Sequence, residues 1–264
     1  MRASWTWFRY KQMDRNNLTY LVRAVAGSHA YGLETPTSDK DIRGVFIHTQ
    51  PKFILGTAKE ESRVIKTEND DIVFHEMRKF FRLLQEGNSA SVELLFSWDD
   101  LFLETSEAWF LVLKHRTQLL DSAALFSSLS GYSMHERSLA FGTTTRKLGK
   151  RKEQLAQYGF SPKNAVQMLR LAWAGAAFFR TGEFPVNMKG HNELLHADLM
   201  AIKTEPEKFT PEQLAERADI ADAELKAAFE SRSHNFVFND DLANDLLLHA
   251  YAPHLHAAMG RLFI

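Results

Sequence analysis

Ala26-Gly27-Ser28-His29-Ala30-Tyr31-Gly32, continued by Thr37-Ser38-Asp39-Lys40-Asp41-Ile42-Arg43-Gly44, is the stretch on which the reading of this chain turns. Asp39 and Asp41 are two positions apart. At the opening of a strand, that spacing turns both carboxylates to one face. Two carboxylates on one face repel each other unless a cation lies between them. A hard divalent ion, Mg2+ or Mn2+, takes oxygen ligands and usually keeps substrate phosphates in its shell. Two such ions can clamp the attacking and leaving oxygens of an in-line displacement at phosphorus. Gly27 and Ser28 precede the pair in a loop. Glycine lets backbone N–H groups approach a phosphate, and a serine hydroxyl adds a donor. Cradle and carboxylates together make a device for holding a nucleoside triphosphate (NTP).

Working outward, 21–26 is rich in β-compatible residues and reads as a strand, or as the close of a helix-to-strand approach. Residues 27–40 are dense in Gly, Ser, Thr and Pro and read as turn and loop. A second strand is expected over 41–47, loop over 51–56, and two further strands over 62–66 and 71–74. Helical spacing follows over 77–86, with Phe80, Phe81, Leu83 and Leu84 as its apolar face and Gly87-Asn88 as its stop. A short apolar element spans 92–96. Beyond about residue 105 the pattern is helical, over 109–120, 131–158, 162–181, 210–231 and 241–262. Thr210-Pro211 suits a helix start, and Gly159 and Gly182 suit helix ends. The expected organisation is an α+β domain over 1–105 followed by an all-helical domain over 106–264.

Composition narrows the classes. A chain of 264 residues is long enough to bury a sizeable core. Its formal charge of -1 excludes a strong global bias toward nucleic acid or anionic membranes. Cysteine is absent, which excludes disulfides, thiolate zinc sites and a cysteine nucleophile. That suits a cytoplasmic setting. The start of the chain has no apolar run of the signal-peptide kind. No stretch approaches the ~20 apolar residues of a membrane span, since 169–179 is short and carries Arg170.

The longer string Gly27-Ser28-His29-Ala30-Tyr31-Gly32-Leu33, Thr35-Pro36, Ser38-Asp39, Asp41 and Arg43-Gly44-Val45 resembles the polymerase-β-like nucleotidyltransferases. It resembles in particular the branch found beside RNA ligases and assigned to RNA repair. The likeness continues through 71–80, Gly87-Asn88 and Glu93-Leu94-Leu95, with a weaker echo in 158–160 and 163–171. It implies a mixed-sheet catalytic domain with flanking helices, then helices. It also implies transfer of a nucleoside monophosphate from an NTP, with pyrophosphate released. The third carboxylate of that superfamily falls on Asp71, so Asp39, Asp41 and Asp71 are the implied metal ligands and catalytic acids, with Glu76 and Glu93 as reserves. Asp70 faces the other way. The acceptor implied by the branch is an RNA 3′ end; a protein hydroxyl or small molecule suits the residues equally. Two positions depart from the pattern: Ser89 stands where relatives carry proline, and Gln167 where they often carry histidine.

Other residues are open to two readings. Arg43 shares the carboxylate face and either contacts phosphate or pairs with an acid. His29 either reaches the triphosphate or is structural, and Lys40 faces solvent. Lys163 and Arg170 are seven apart, about two helical turns, with Gln167 between them. They form either a solvated stripe or a nucleotide-binding face. Arg146, Lys147, Lys150, Arg151 and Lys152 form a basic cluster that is either an exposed helix face or an RNA contact. His191 and His196 are five apart and cannot share a zinc on one helix. His249, His254 and His256, split by Pro253, read as surface or partly buried helix ends. Trp173, Phe178 and Phe179 read as core. Two rival functions remain: a nucleotide-binding module without turnover, and a toxin-neutralising enzyme that modifies one partner protein.

Overall fold

The computed structural model describes residues 17–67, 70–143 and 151–259. The N-terminal segment and Arg146, Lys147 and Lys150 of the basic cluster lie outside these ranges. Strand β1 (Leu18–Ala26) runs into a short helix α1 (Gly27–Tyr31), and β2 (Lys40–His48) follows. Then come α2 (Pro51–Ile54), β3 (Ser62–Lys66), β4 (Asp70–Glu76), α3 (Met77–Gln85), α4 (Ser89–Leu95) and β5 (Phe102–Thr105). The remainder is helical: α5 (Glu107–Lys114), α6 (Ser122–Ala140), α7 (Arg151–Tyr158), α8 (Pro162–Thr181), α9 (Met188–His191), α10 (Glu193–Thr204), α11 (Pro211–Glu230) and α12 (Asp240–Met259). The class is α+β.

The strands pair in the order β3-β4-β2-β1-β5. β2 and β4 are parallel, and the other neighbours are antiparallel. On one face, Val22, Ala24, Val45 and Ile47 pack on the helices. On the other, Phe46, Ile72 and Phe74 form a smaller apolar cluster. α8 is buried on nearly every side, which suits its almost unbroken apolar sequence. α6 and α11 pack against it, and Phe178 and Phe179 are in the core as expected. That core runs from Leu21 to Tyr251. The packing therefore crosses residue 105, where the proposed division marks a change in secondary structure.

Several local expectations change. Residues 27–31 are helical rather than loop, and 51–54 close one helical turn. The apolar element at 92–96 is the end of α4, capped by Asn88, whose side chain accepts from Ser91 N at 3.0 Å. Gly87 before it sits at φ 69°, and a Cβ there would lie 2.5 Å from the backbone of Leu125. β5, α9 and α10 have no counterpart in the sequence reading. In keeping with the helix expected over 241–262, α12 runs through Pro253 to Met259, with the ring exposed. Among the described residues, no helix is long and apolar enough to cross a membrane.

Candidate active site

The acidic pair sits where β1 stops and β2 begins. Parallel pairing sets Asp41 opposite Asp71, and antiparallel pairing sets Ala26 opposite Asp41. Parallel neighbours in register turn their side chains to the same face, so Asp41 and Asp71 stand side by side. Asp39, one residue ahead of β2, is exposed and lines the same cleft. Gly27 leaves β1 at φ 62°, in the region that favours glycine. A Cβ on it would lie 1.8 Å from Asp41 Oδ2. The glycine thus makes room for the carboxylate as well as for a ligand.

The cleft has a volume of about 540 Å³, within the range of small-molecule sites. One wall is Gly27, Ser28, Asp39, Asp41, Arg43 and Asp71; the facing wall carries Lys163, Gln167 and Arg170 from α8 and Lys203 from α10. The acids repel each other. Burial pushes the Asp41 carboxyl above the usual range, opposed by Arg43, reinforced by Asp71, opposed by Lys163 and reinforced by Asp39. Asp71 Oδ1 is buried with no hydrogen-bond partner among the described residues. An acid held at a raised pKa beside a buried, unpartnered carboxylate oxygen is a donor set that a divalent cation fits. Among the described residues, no group of three or more Asp, Glu or His side chains is gathered closely enough to hold a metal ion.

Arg43 lines the cleft and pairs with an acid there. Its Nη1 donates to the Asp71 carbonyl at 2.8 Å, and its Nη2 lies 3.5 Å from Asp71 Oδ2. Arg170 is no solvated stripe, being 1% exposed. Its Nη2 donates to Glu93 Oε1 at 2.7 Å and its Nε to Gln167 Oε1 at 2.8 Å. Its guanidinium carbon lies 3.5 Å from the centre of the Tyr31 ring, whose hydroxyl donates to Glu93 Oε2 at 2.6 Å. Gln167, the departure on α8, therefore orients this arginine. Burial alone depresses Arg170, but Glu93 and Tyr31 outweigh it and leave its pKa raised.

Of the reserve acids, Glu93 lines the cleft but is committed to Arg170 and Tyr31. Glu76 caps α3, accepts from Arg78 N at 3.0 Å, bonds Tyr251, and does not line the cleft. His29 does not line it either. His196 bonds the Gly32 carbonyl at 2.6 Å and so pins the motif loop to α10. Several cleft residues escaped the sequence reading. Tyr132 and Glu136 are one turn apart on α6, and burial with Glu136 pushes the Tyr132 phenol up to about 12. Asn164 Nδ2 donates to Glu136 Oε2 at 2.7 Å. The one-turn spacing of Tyr132 and Glu136 on a helix was the available signal for this group; Lys203 carries none.

An α+β fold with an acid-lined cleft is the arrangement implied by the resemblance to polymerase-β-like nucleotidyltransferases. Residues 10–247 match the family described as the RNA repair pathway DNA polymerase beta family, and the chain belongs to it. It is 24% identical over 108 residues to an uncharacterized 38.9 kDa protein of the nrdC-mobD intergenic region of Enterobacteria phage T4. That match covers 37% of this chain and 32% of the phage protein, so the chain spans about a third of the curated relative's length. Among solved structures, a nucleotidyltransferase-like protein from Exiguobacterium sibiricum 255-15 is similar at 11% identity and a TM-score of 0.30. The alignment covers 86% of this chain and 73% of that one.

Proposed function

We propose that the protein transfers a nucleoside monophosphate from an NTP to an acceptor hydroxyl and releases pyrophosphate. The observation that carries this reading is the side-by-side register of Asp41 and Asp71 beneath Gly27, facing the cationic helices across one cleft. Asp39, Asp41 and Asp71 would hold Mg2+ or Mn2+. When bound, such an ion neutralises charge on the phosphates and makes the α-phosphorus more electrophilic. Gly27 and Ser28 would approach the phosphate chain from the motif side, and Lys163 from α8. In the transfer, the acceptor oxygen bonds to the α-phosphorus and the bond to the bridging oxygen breaks. That oxygen departs with pyrophosphate, and the acceptor proton passes to the Asp71 carboxylate.

The family's description names an RNA repair pathway, which supports RNA as the acceptor; in this reading the attacking group is its 3′ hydroxyl. The cysteine-free composition fits a cytoplasmic setting. The experiment incubates the protein with each NTP labelled at the α-phosphate, with Mg2+, with and without RNA. Label in RNA, lost in Asp39→Ala and Asp41→Ala, is the expected result. Nucleotide binding with no transfer to any acceptor would overturn it in favour of a regulatory module. Label on a co-purified protein would move the acceptor from RNA to protein.

A further inference from the structure

Gln167 lies one turn beyond Lys163 on α8 and lines the same cleft, half-buried. Its Oε1 accepts from Arg170 Nε at 2.8 Å. A guanidinium has donors only, so the amide cannot turn its nitrogen to that side. Arg170 is itself held in place, because Glu93 takes its Nη2 and the Tyr31 ring lies against the guanidinium. Gln167 Nε2 is thereby turned away from Arg170. Among the described residues it has no hydrogen-bond partner, and it is not sealed within the protein. The acceptors at this end of the cleft are taken. Glu93 accepts from Arg170 and Tyr31, and Glu136 from Asn164 and Tyr132. Asn164 Oδ1 accepts from Ser161 at 2.8 Å. Donors are in surplus: besides Gln167 Nε2, Arg170 Nη1 is buried with no partner among the described residues. A buried donor left unpaired is costly and favours an acceptor on a ligand. Val166, Leu171 and Leu94 line the same cleft and present apolar walls to the faces of a flat ring.

We propose that Gln167 is a specificity-determining residue that reads the nucleobase. It selects a base whose read edge carries an oxo group, uracil or guanine, over one that carries an amino group there, cytosine or adenine. An oxo group accepts from the fixed Nε2–H. An amino group would set N–H against N–H, with no uncommitted carboxylate or amide oxygen at that end of the cleft to turn to. This subsite rests on the nucleotidyl-transfer reading for the place of the nucleotide, with the phosphates at the acids and Lys163 and the base one turn further along α8. Base choice is nevertheless read in binding, without turnover.

The test is equilibrium titration of the full chain, in Mg2+, with the α,β-methylene analogues of UTP, CTP, GTP and ATP, whose α–β bridge cannot be cleaved. The uracil analogue is expected to bind about tenfold to a hundredfold more tightly than the cytosine one, and guanine than adenine, the effect of a donor paired or left unpaired. Gln167→Glu keeps an oxygen for Arg170 Nε and turns the outward donor into an acceptor, so both preferences are expected to reverse. Gln167→Leu is expected to bring both ratios near one. Each ratio is taken within one variant, so a general loss of folding does not imitate the result. Three results would overturn the proposal: no binding of any analogue, equal binding of oxo and amino bases by the parent, or parent-like ratios in both Gln167 variants. Base-selective binding that reverses in Gln167→Glu, without label transfer, would keep the base reading and discard the reaction. Label transfer from all four NTPs alike would do the reverse.

Discussion

Gly27 and Asp41 occupy one another's space: a methyl group on the glycine would lie 1.8 Å from the aspartate's Oδ2. The end of β1 and the start of β2 are thus coupled through a missing side chain. Gly27→Ala must either push Asp41 from its place beside Asp71 or distort a backbone held at φ 62°. The expected outcome is loss of label transfer of at least about a hundredfold, as for a reacting group displaced by about 1 Å. Steady-state kinetics on a variant with retained circular dichroism measures it.

Asp41 carries a cost in the metal-free protein. Burial, with Asp71 and Asp39 adding to it, raises its carboxyl against the opposing Arg43 and Lys163. The native state therefore binds that proton more tightly than the unfolded chain does. Metal-free stability falls as pH rises from the ordinary carboxyl range through the raised value. At pH 7 in EDTA, Asp41→Asn should melt a few degrees higher than the parent, equivalent to about 1 kcal/mol or less. Added Mg2+ should raise the melting point of the parent and not that of the variant. Thermal melts with and without Mg2+ decide both.

Arg170 and Glu93 are a buried pair, so removing one partner strands the other's charge. Arg170→Met should cost roughly 3–5 kcal/mol, and Arg170→Met with Glu93→Gln should cost less than the single change. Urea denaturation of both variants tests this. Equal losses would mean that the stranded Glu93 charge carries no cost.

His75 is held neutral. Burial, then Lys79 and Arg43, lower it from 6.5 to about 4. Its Nδ1 lies 2.9 Å from Ser62 Oγ, which also accepts from Lys79 at 2.8 Å. The unfolded chain protonates this histidine first as pH falls, so stability is lost between about pH 6.5 and 4. His75→Gln should flatten that part of the acid-unfolding curve and leave the curve above pH 7 unchanged in slope.

The sequence by itself determined the two strands that flank the motif and singled out the glycine and the acids between them. These are local matters: β-compatible runs at 21–26 and 41–47 form strands by their own backbone preference, whereas the Gly-Ser segment between them proved helical and Asp39 stands one residue ahead of β2. The helix at 162–181 was legible for the same reason, its start and stop being written in Pro162 and Gly182. Tertiary structure decided what those pieces meet. Arg170 is indistinguishable in the sequence from a surface cation until Glu93 and Tyr31, from two other elements, close over it. Arg43 turned to Asp71 because parallel pairing brings β4 beside β2, a contact 28 residues away. Lys203 enters the cleft because α10 packs on α8 and grips Leu33, 170 residues away in the chain. Side-chain direction along one element follows from its own periodicity, but the charge facing it comes from packing between distant elements.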